Sequence, residues 1–512
     1  RHPVPGANVM DHLTFCIEVQ QDLAHRLLID TANRLMHLLD IDLSKVERVA
    51  ICGNPIQLSM FQNIETRDLA FVGEHALKAR GVELQKRDAT ILNAVDLGLD
   101  LPDKCQIYVP PAIKHEIGAD ALAMMYKTKL MDRKEDVLVT DYGTNAEMAL
   151  KVGDEIITGS AAAGPAIEGQ HIKAGMLASP GAISDVNVEL DWRCTVLDDD
   201  ILAKEGDAVD PNTGVVMEQG AMHGRAVGVT GTGVIAAIAE GLKYGLIKMP
   251  HVTTLDNRIH LQDGIVLEEN DIVEAAKAFG AMRAGHFTLL EHAGIKFEEL
   301  DIMYMSGASG TYVDALKAQR VGLLPPSCSQ IYQFGNTSLA MATDLVRDTE
   351  LLDELQTLAK SIRANHIMFA SDETFKKVFI QELAHWTEGM PIETYNMMLR
   401  VSDIQPLPTT TKNAKVTRTV MRDIPDLGYK GLKVLRNIGL YIKGSFEGCT
   451  GCERCVKECP EDAIRVHQGG TSGFEISIAS DLCNGTACMR CERACPKKCF
   501  KFRELEKGLV GS

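Results

Sequence analysis

The sequence predicts an α/β body followed by a small α+β domain. Three observations carry this expectation. Strand-like runs and Gly-rich turns alternate with helical stretches over residues 1–400, nine of the 14 cysteines crowd into the last 64 residues, and eight of those nine fall into two similar runs. With 512 residues, 45% apolar and 24% charged, the chain has material for several cored domains. The expected divisions are a first lobe at 1–135, a second lobe at 136–400, a linker at 401–430 and the small domain at 431–512.

Charge narrows the partners. The net charge is −17, yet the tail from Gly431 to Ser512 holds 13 Lys+Arg against 10 Asp+Glu, so the rest carries −20. An acidic body argues against nucleic acid, which is gripped by basic surfaces. No apolar run is long enough to cross a bilayer and no signal peptide is recognisable, so neither membrane insertion nor secretion is expected. The expected location is the cytoplasm.

The cysteines define the small domain. Cys449, Cys452, Cys455 and Cys459 fit C-x2-C-x2-C-x3-C-P, and Cys483, Cys488, Cys491 and Cys495 fit C-x4-C-x2-C-x3-C-P. These are the spacings of bacterial-type ferredoxins with two [4Fe–4S] clusters, where the fourth cysteine of each run ligates the other cluster. Cys449, Cys452, Cys455 and Cys495 are therefore expected around one cluster, and Cys483, Cys488, Cys491 and Cys459 around the second. Three cysteines recur at an offset of 36 residues, which places Cys499 opposite Ala463 and makes it a packing residue by expectation. Between the runs, AIRVHQGGTSGFEIS reads as strand, turn, strand. Zinc ribbons match this spacing poorly, and disulfides need an oxidising compartment. Cys16, Cys52, Cys105, Cys194 and Cys328 stand alone in mostly apolar settings and read as core residues.

In the body, DVLVTDYGTNAEMALKVGDEIITG (136–159) reads as a three-strand meander whose first turn follows Asp141. Asp141, Gly143, Thr144 and Asn145 offer a carboxylate, backbone N–H groups and a hydroxyl to a phosphate and its Mg²⁺, with Asp141 and Thr144 as the catalytic candidates. A plain hairpin turn explains the same residues. DIMYMSGASGTYVDALKAQRVGLLP supplies a buried strand, then Ser306, Gly307 and Gly310, then a helix opening near Thr311. Glycines at a strand-to-helix junction let an anionic ligand approach the backbone. The 25-residue stretch NDIVEAAKAFGAMRAGHFTLLEHAG reads as a helix capped by Asp271 and stopped by Gly294, with Lys277 and Arg283 either facing a nucleotide or, the favoured reading, solvated. Residues 401–419 read as an extended exit toward the tail.

The order of hairpin and Gly loop is that of the actin, heat-shock chaperone and sugar kinase superfamily. GNPIQLSMF (53–61), VPPAIKHEIGADALAMM (109–125), TDYGTNAEMAL, SAAAGPAIEGQHIKAGMLASPGAI (160–183), MSGASGTYVDALKAQRVGLLP and FGNTSLAMA (334–342) resemble the reductive activators of corrinoid proteins. With its double ferredoxin tail the chain looks most like the members that serve methylamine methyltransferases. The resemblance implies a two-lobed actin-like body that binds ATP and Mg²⁺. It also implies corrinoid methyltransferase proteins and a low-potential electron donor as partners, and reduction of inactive Co(II) corrinoid to Co(I). Such a transfer is uphill: a gap of about 200 mV costs about 4.6 kcal/mol at roughly 59 mV per tenfold for one electron. The small-residue stretch from Ser160 to Gly169 is a candidate surface for the corrin ring or its carrier. Residues 1–140 lack a second D-x-G-T, so roughly the first thirty residues of the first lobe, with its phosphate loop, are expected to be absent from this chain. The competing readings are an activase for a 2-hydroxyacyl-CoA dehydratase, which carries a single cluster, and a non-catalytic ferredoxin-fused scaffold.

Overall fold

The computed structural model describes residues 2–71, 74–113, 117–143, 145–161, 171–188, 191–362, 364–422, 434–435, 438–469 and 473–510. The chain divides into two units: Ala121–Met341 with Ser361–Val434, and Arg1–Asp120 with Ala342–Lys360 and Leu435–Ser512.

The first of these units is built on a seven-stranded sheet. Its strands run, edge to edge, Ala364–Ile367, Glu155–Ala161, Ala146–Val152, Val137–Tyr142, Ile302–Ser306, Gln330–Gln333 and Lys415–Arg418. The expected meander is antiparallel, and the strands on its far side join in parallel. Parallel strands are buried on both faces, and Val137, Leu138 and Val139 are all fully buried, as are Met303 and Met305. Over this sheet lies the helix Glu269–Ala293, in which every residue from Ala278 to Leu290 is buried. A helix apolar on all sides belongs inside a core.

That helix starts earlier than expected. Its N-cap is Glu268, and Asp271 stands at the third helical position, its carboxylate accepting from the Glu268 N–H at 2.9 Å while the Glu268 side chain accepts from the Asp271 backbone. Asp271 thus closes a capping box, the partner of the cap, and Gly294 ends the helix at φ 69° as expected. Arg283 is not solvated. It is buried and donates to both carboxylate oxygens of Glu382 at 3.1 and 3.2 Å, and Tyr395 Oη donates to the same Glu382 at 2.5 Å. Lys277 is exposed and paired with Glu274.

A second, five-stranded sheet (Val216–Glu218, Ala203–Val209, Trp192–Leu197, Ala182–Val188, Gly228–Val229) precedes the helix Gly231–Lys243. The helix packs so tightly on the strand Ala182–Val188 that a Cβ on Gly233 would lie 2.4 Å from the Ile183 carbonyl oxygen. Residues 401–419, expected as an exit, are held in this unit: the strand Lys415–Arg418 extends the main sheet, and the Leu407 N–H donates to Asn396.

Among the described residues, the other unit shows two cores. One surrounds a three-stranded sheet of Arg48–Ala50, Gln106–Val109 and Thr90–Asn93. The second joins the helices Val9–Phe15 and Gln21–His37 to the cysteine-rich domain, with Phe15 edge-on to Phe502 at 6.3 Å and the Gly6 N–H donating to the Cys483 carbonyl at 2.9 Å. The domain's own sheet is antiparallel throughout: Ile464–Gly469, Gly473–Ala479, Tyr441–Ser445 and Gly508–Val510. Among the described residues, no helix is long and apolar enough to cross a membrane.

Candidate functional site

The cysteine-rich domain contains two cavities. The first is lined by Cys449, Cys452, Cys455 and Cys495, with Cys499 beside them, and the second by Cys459, Cys483, Cys488 and Cys491. The last cysteine of each run therefore lies in the cavity formed by the other run. Local backbone makes this possible. Glu453 and Met489, 36 residues apart, both adopt left-handed φ (55° and 49°) at the starts of the helices Arg454–Lys457 and Arg490–Ala494. Asp462 and Lys498, at the same offset, both have φ 50°. The repeat in sequence is thus a repeat in conformation.

The surroundings suit an iron–sulfur cube. Val466, Ile476 and Phe500 wall the first cavity and Ile464 and Phe502 the second. The Ala463 N–H donates to Cys459 Sγ at 3.3 Å and the Gly485 N–H to Cys483 Sγ at 3.4 Å, the kind of outer hydrogen bond that orients ligand sulfurs and tunes a cluster. Burial pushes the Cys483 and Cys491 thiols up to about 12, a cost that binding iron as thiolate removes. Cys452 is the exposed member of the first set. Cys499, expected to be a packing residue, lines the first cavity beside Cys495.

In the other unit, three loops converge at the carboxyl ends of the parallel strands, where α/β sheets bind ligands. Asp141 is the penultimate residue of the first hairpin strand, Val137–Tyr142, and stands in register with Ser306 on its neighbour. Ser306 Oγ donates to Asp141 Oδ2 at 2.5 Å and lies 3.3 Å from Thr337 Oγ1. Burial pushes the Asp141 carboxyl above the usual carboxylate range, and the Ser306 hydrogen bond opposes it. Gly307 has φ 88°, and a Cβ there would lie 2.7 Å from Asp141 Oδ1 and 2.8–2.9 Å from the Tyr142 backbone, so glycine is required twice over. Its N–H donates to the Gly335 carbonyl at 2.9 Å, and Gly310 lies against the Tyr142 ring.

Asp141, Gly143, Ser306, Gly307 and Gly310 are thus brought together, with Asn145 accepting from the Gly143 N–H through its carbonyl. Thr144 lies outside the described residues, as do residues 162–170 of the small-residue stretch. Ser160 ends up in a strand, donating to Glu147 at 3.2 Å. The helix after Gly307 opens at Ala308, earlier than Thr311, because Thr311 Oγ1 turns inward to the Gly307 carbonyl within that short helix. Gly335 and Thr337 were not singled out from sequence. The signal was present as Phe334-Gly335-Asn336-Thr337, a second strand-to-helix junction.

Comparisons with known proteins agree on both halves. Residues 135–396 match the family described as the C-terminal domain of RACo, the ASKHA domain, and residues 448–499 match a 4Fe-4S dicluster domain. The chain is 50% identical over 490 residues to the Co(II) methylated amine-specific corrinoid protein reductase of Methanosarcina barkeri, covering 95% of this chain and 90% of that protein. It is 25% identical over 315 residues to the corrinoid activation enzyme RamQ of Eubacterium limosum, covering 56% and 47%. A solved structure of a reductive activator for a corrinoid, iron–sulfur protein shares the fold at a TM-score of 0.59 with 21% identity. That match covers 75% of this chain and 62%, under two thirds, of the solved one.

Proposed function

As this chain belongs to the reductive activators of corrinoid proteins, we propose that it reduces Co(II) corrinoid on a methyltransferase partner to Co(I), in a step driven by ATP. The observation that carries this reading is the crossed lining of two cysteine-walled cavities, each holding the last cysteine of the other run, in a chain that also closes an acidic hairpin onto a Gly loop. Methylated-amine metabolism is the context that the Methanosarcina barkeri relative supports. The electron donor in this reading is a low-potential carrier, and the place of action is the cytoplasm.

Cys449, Cys452, Cys455 and Cys495 hold one cluster in this proposal, and Cys483, Cys488, Cys491 and Cys459 the other. When bound, two [4Fe–4S] clusters supply a one-electron relay and ATP with Mg²⁺ supplies free energy. Apolar side chains wall part of each cavity, and the Ala463 and Gly485 N–H groups stabilise the added negative charge on the second cluster's ligand sulfurs. Asp141 is the residue to hold Mg²⁺, usually through water, and Ser306 fixes its carboxylate. Thr144, Asn145 and Gly310 are the donors proposed for phosphate oxygens, while Gly143 and Gly307, whose N–H groups are held by the Asn145 and Gly335 carbonyls, shape the two loops around them. Nucleotide-dependent differential binding of the corrinoid protein then offsets the uphill electron transfer.

The test is anaerobic visible spectroscopy of a Co(II) corrinoid protein mixed with this protein, a low-potential reductant and ATP. The Co(I) band is expected only with ATP and intact clusters. Reduction without ATP leaves a simple ferredoxin-like reductase, and no reduction with several corrinoid partners returns the dehydratase-activase reading.

A further inference from the structure

Cys499 breaks the internal symmetry of the cysteine-rich domain at one atom. The paired left-handed residues Glu453 with Met489 and Asp462 with Lys498 show that the two halves superpose at an offset of 36 residues, which puts Cys499 in the place of Ala463. At the Ala463 end, the fourth cysteine of its run, Cys459, receives the Ala463 backbone N–H at 3.3 Å, and the side chain at that position carries no donor. At the other end, Cys499 Sγ lies 3.5 Å from Sγ of the equivalent fourth cysteine, Cys495, and lines the same cavity.

We propose that the Cys499 thiol donates a hydrogen bond to the Cys495 sulfur and thereby raises the potential of the first cavity's cluster. This rests on the reading that both cavities hold [4Fe–4S] clusters. A cysteine that ligates iron is a thiolate, so the proton shared by this pair resides on Cys499 and the bond runs from its S–H to Cys495. Hydrogen bonds to ligand sulfurs stabilise the more negative, reduced cluster and raise its potential. The second cavity has no thiol at the matching place, because Ala463 stands there. The thiol donor is thus particular to the first cavity's cluster. Cys499 is a positioning residue for the relay, acting through Cys495.

The experiment uses the full chain, reconstituted anaerobically, with iron analysis and an EPR-monitored potentiometric titration of the wild type, Cys499→Ala and Cys499→Ser. The expected result is unchanged iron in all three. In Cys499→Ala, one midpoint falls by about 59 mV, equivalent to about a tenfold loss in the reduced-to-oxidised ratio at fixed potential. The other midpoint stays, and Cys499→Ser, which keeps a donor, lies nearer the wild type. Two unmoved midpoints in Cys499→Ala make the residue a packing residue and overturn the proposal. Loss of half the iron makes Cys499 a ligand and overturns it equally. A wild type that takes up a single cluster fails the underlying two-cluster reading instead, which the iron analysis reveals before any variant is made.

Discussion

Asp141 and Ser306, 165 residues apart in sequence, face each other across adjacent parallel strands, and the Ser306 hydroxyl donates to the Asp141 carboxylate at 2.5 Å. Burial raises this carboxyl's pKa and the Ser306 hydrogen bond lowers it, so the pair sets the pH at which Asp141 becomes an anion able to hold Mg²⁺. Removing the donor in Ser306→Ala leaves burial unopposed. The acid limb of the pH profile for ATP hydrolysis is expected to move to higher pH, with activity returning as pH rises. An unmoved limb separates Asp141 from the ATP-dependent step.

Gly307→Ala places a methyl group within 2.7–2.9 Å of Asp141 and the Tyr142 backbone, at a φ of 88° that alanine rarely adopts. The backbone strain alone costs on the order of 1–3 kcal/mol. A lower melting temperature and a weaker ATP Kd by calorimetry are both expected. If the protein folds and binds ATP as before, the loop is not part of the nucleotide site.

Cys452 is the exposed ligand candidate of the first cavity, and the Asp141 cradle belongs to the other unit. Cys452→Ala is expected to lose half the bound iron, retain ATP binding and abolish Co(I) formation. Co(I) formation at the wild-type rate with half the iron shows that the second cavity alone carries the electron.

His286 is fully buried, and both ring nitrogens lack a hydrogen-bond partner among the described residues. Burial, with Arg283 nearby, pushes its pKa down to about 3 from 6.5. The unfolded chain takes up a proton as pH falls below 6.5 while the folded one does not until about 3, so stability is full above 6.5 and declines across that window. The contribution to the slope approaches about 1.4 kcal/mol per pH unit. Urea unfolding at pH 7 and 5 compares the wild type with His286→Phe, for which a shallower pH dependence is expected. Equal slopes show that other groups dominate.

Much of this was legible locally. The thiol spacings, the meander around Asp141 and the Gly294 helix stop depend on residues a few positions apart, where φ preferences, turn chemistry and ligand reach act directly. The helix cap was misplaced by three residues because Asp271 and Glu268 are both acidic and both belong to one capping box. Only the completed helix tells the cap from its partner. The charge of Arg283 suggested solvent, but Glu382, 99 residues away, neutralises it inside the core.

The sequence by itself determined that the chain has an α/β body with a hairpin suited to phosphate, and a tail with two interleaved sets of four thiols. Both are written in short-range spacing, which the backbone converts to geometry without help from distant residues. Tertiary structure alone decided that Ser306, Gly307, Gly335 and Thr337 meet at Asp141, and that the N-terminal helices share a core with the cysteine-rich domain. Those contacts depend on strand order and on which apolar faces find each other when the chain collapses. Such pairings are set by the burial of the whole core, and no local pattern carries them.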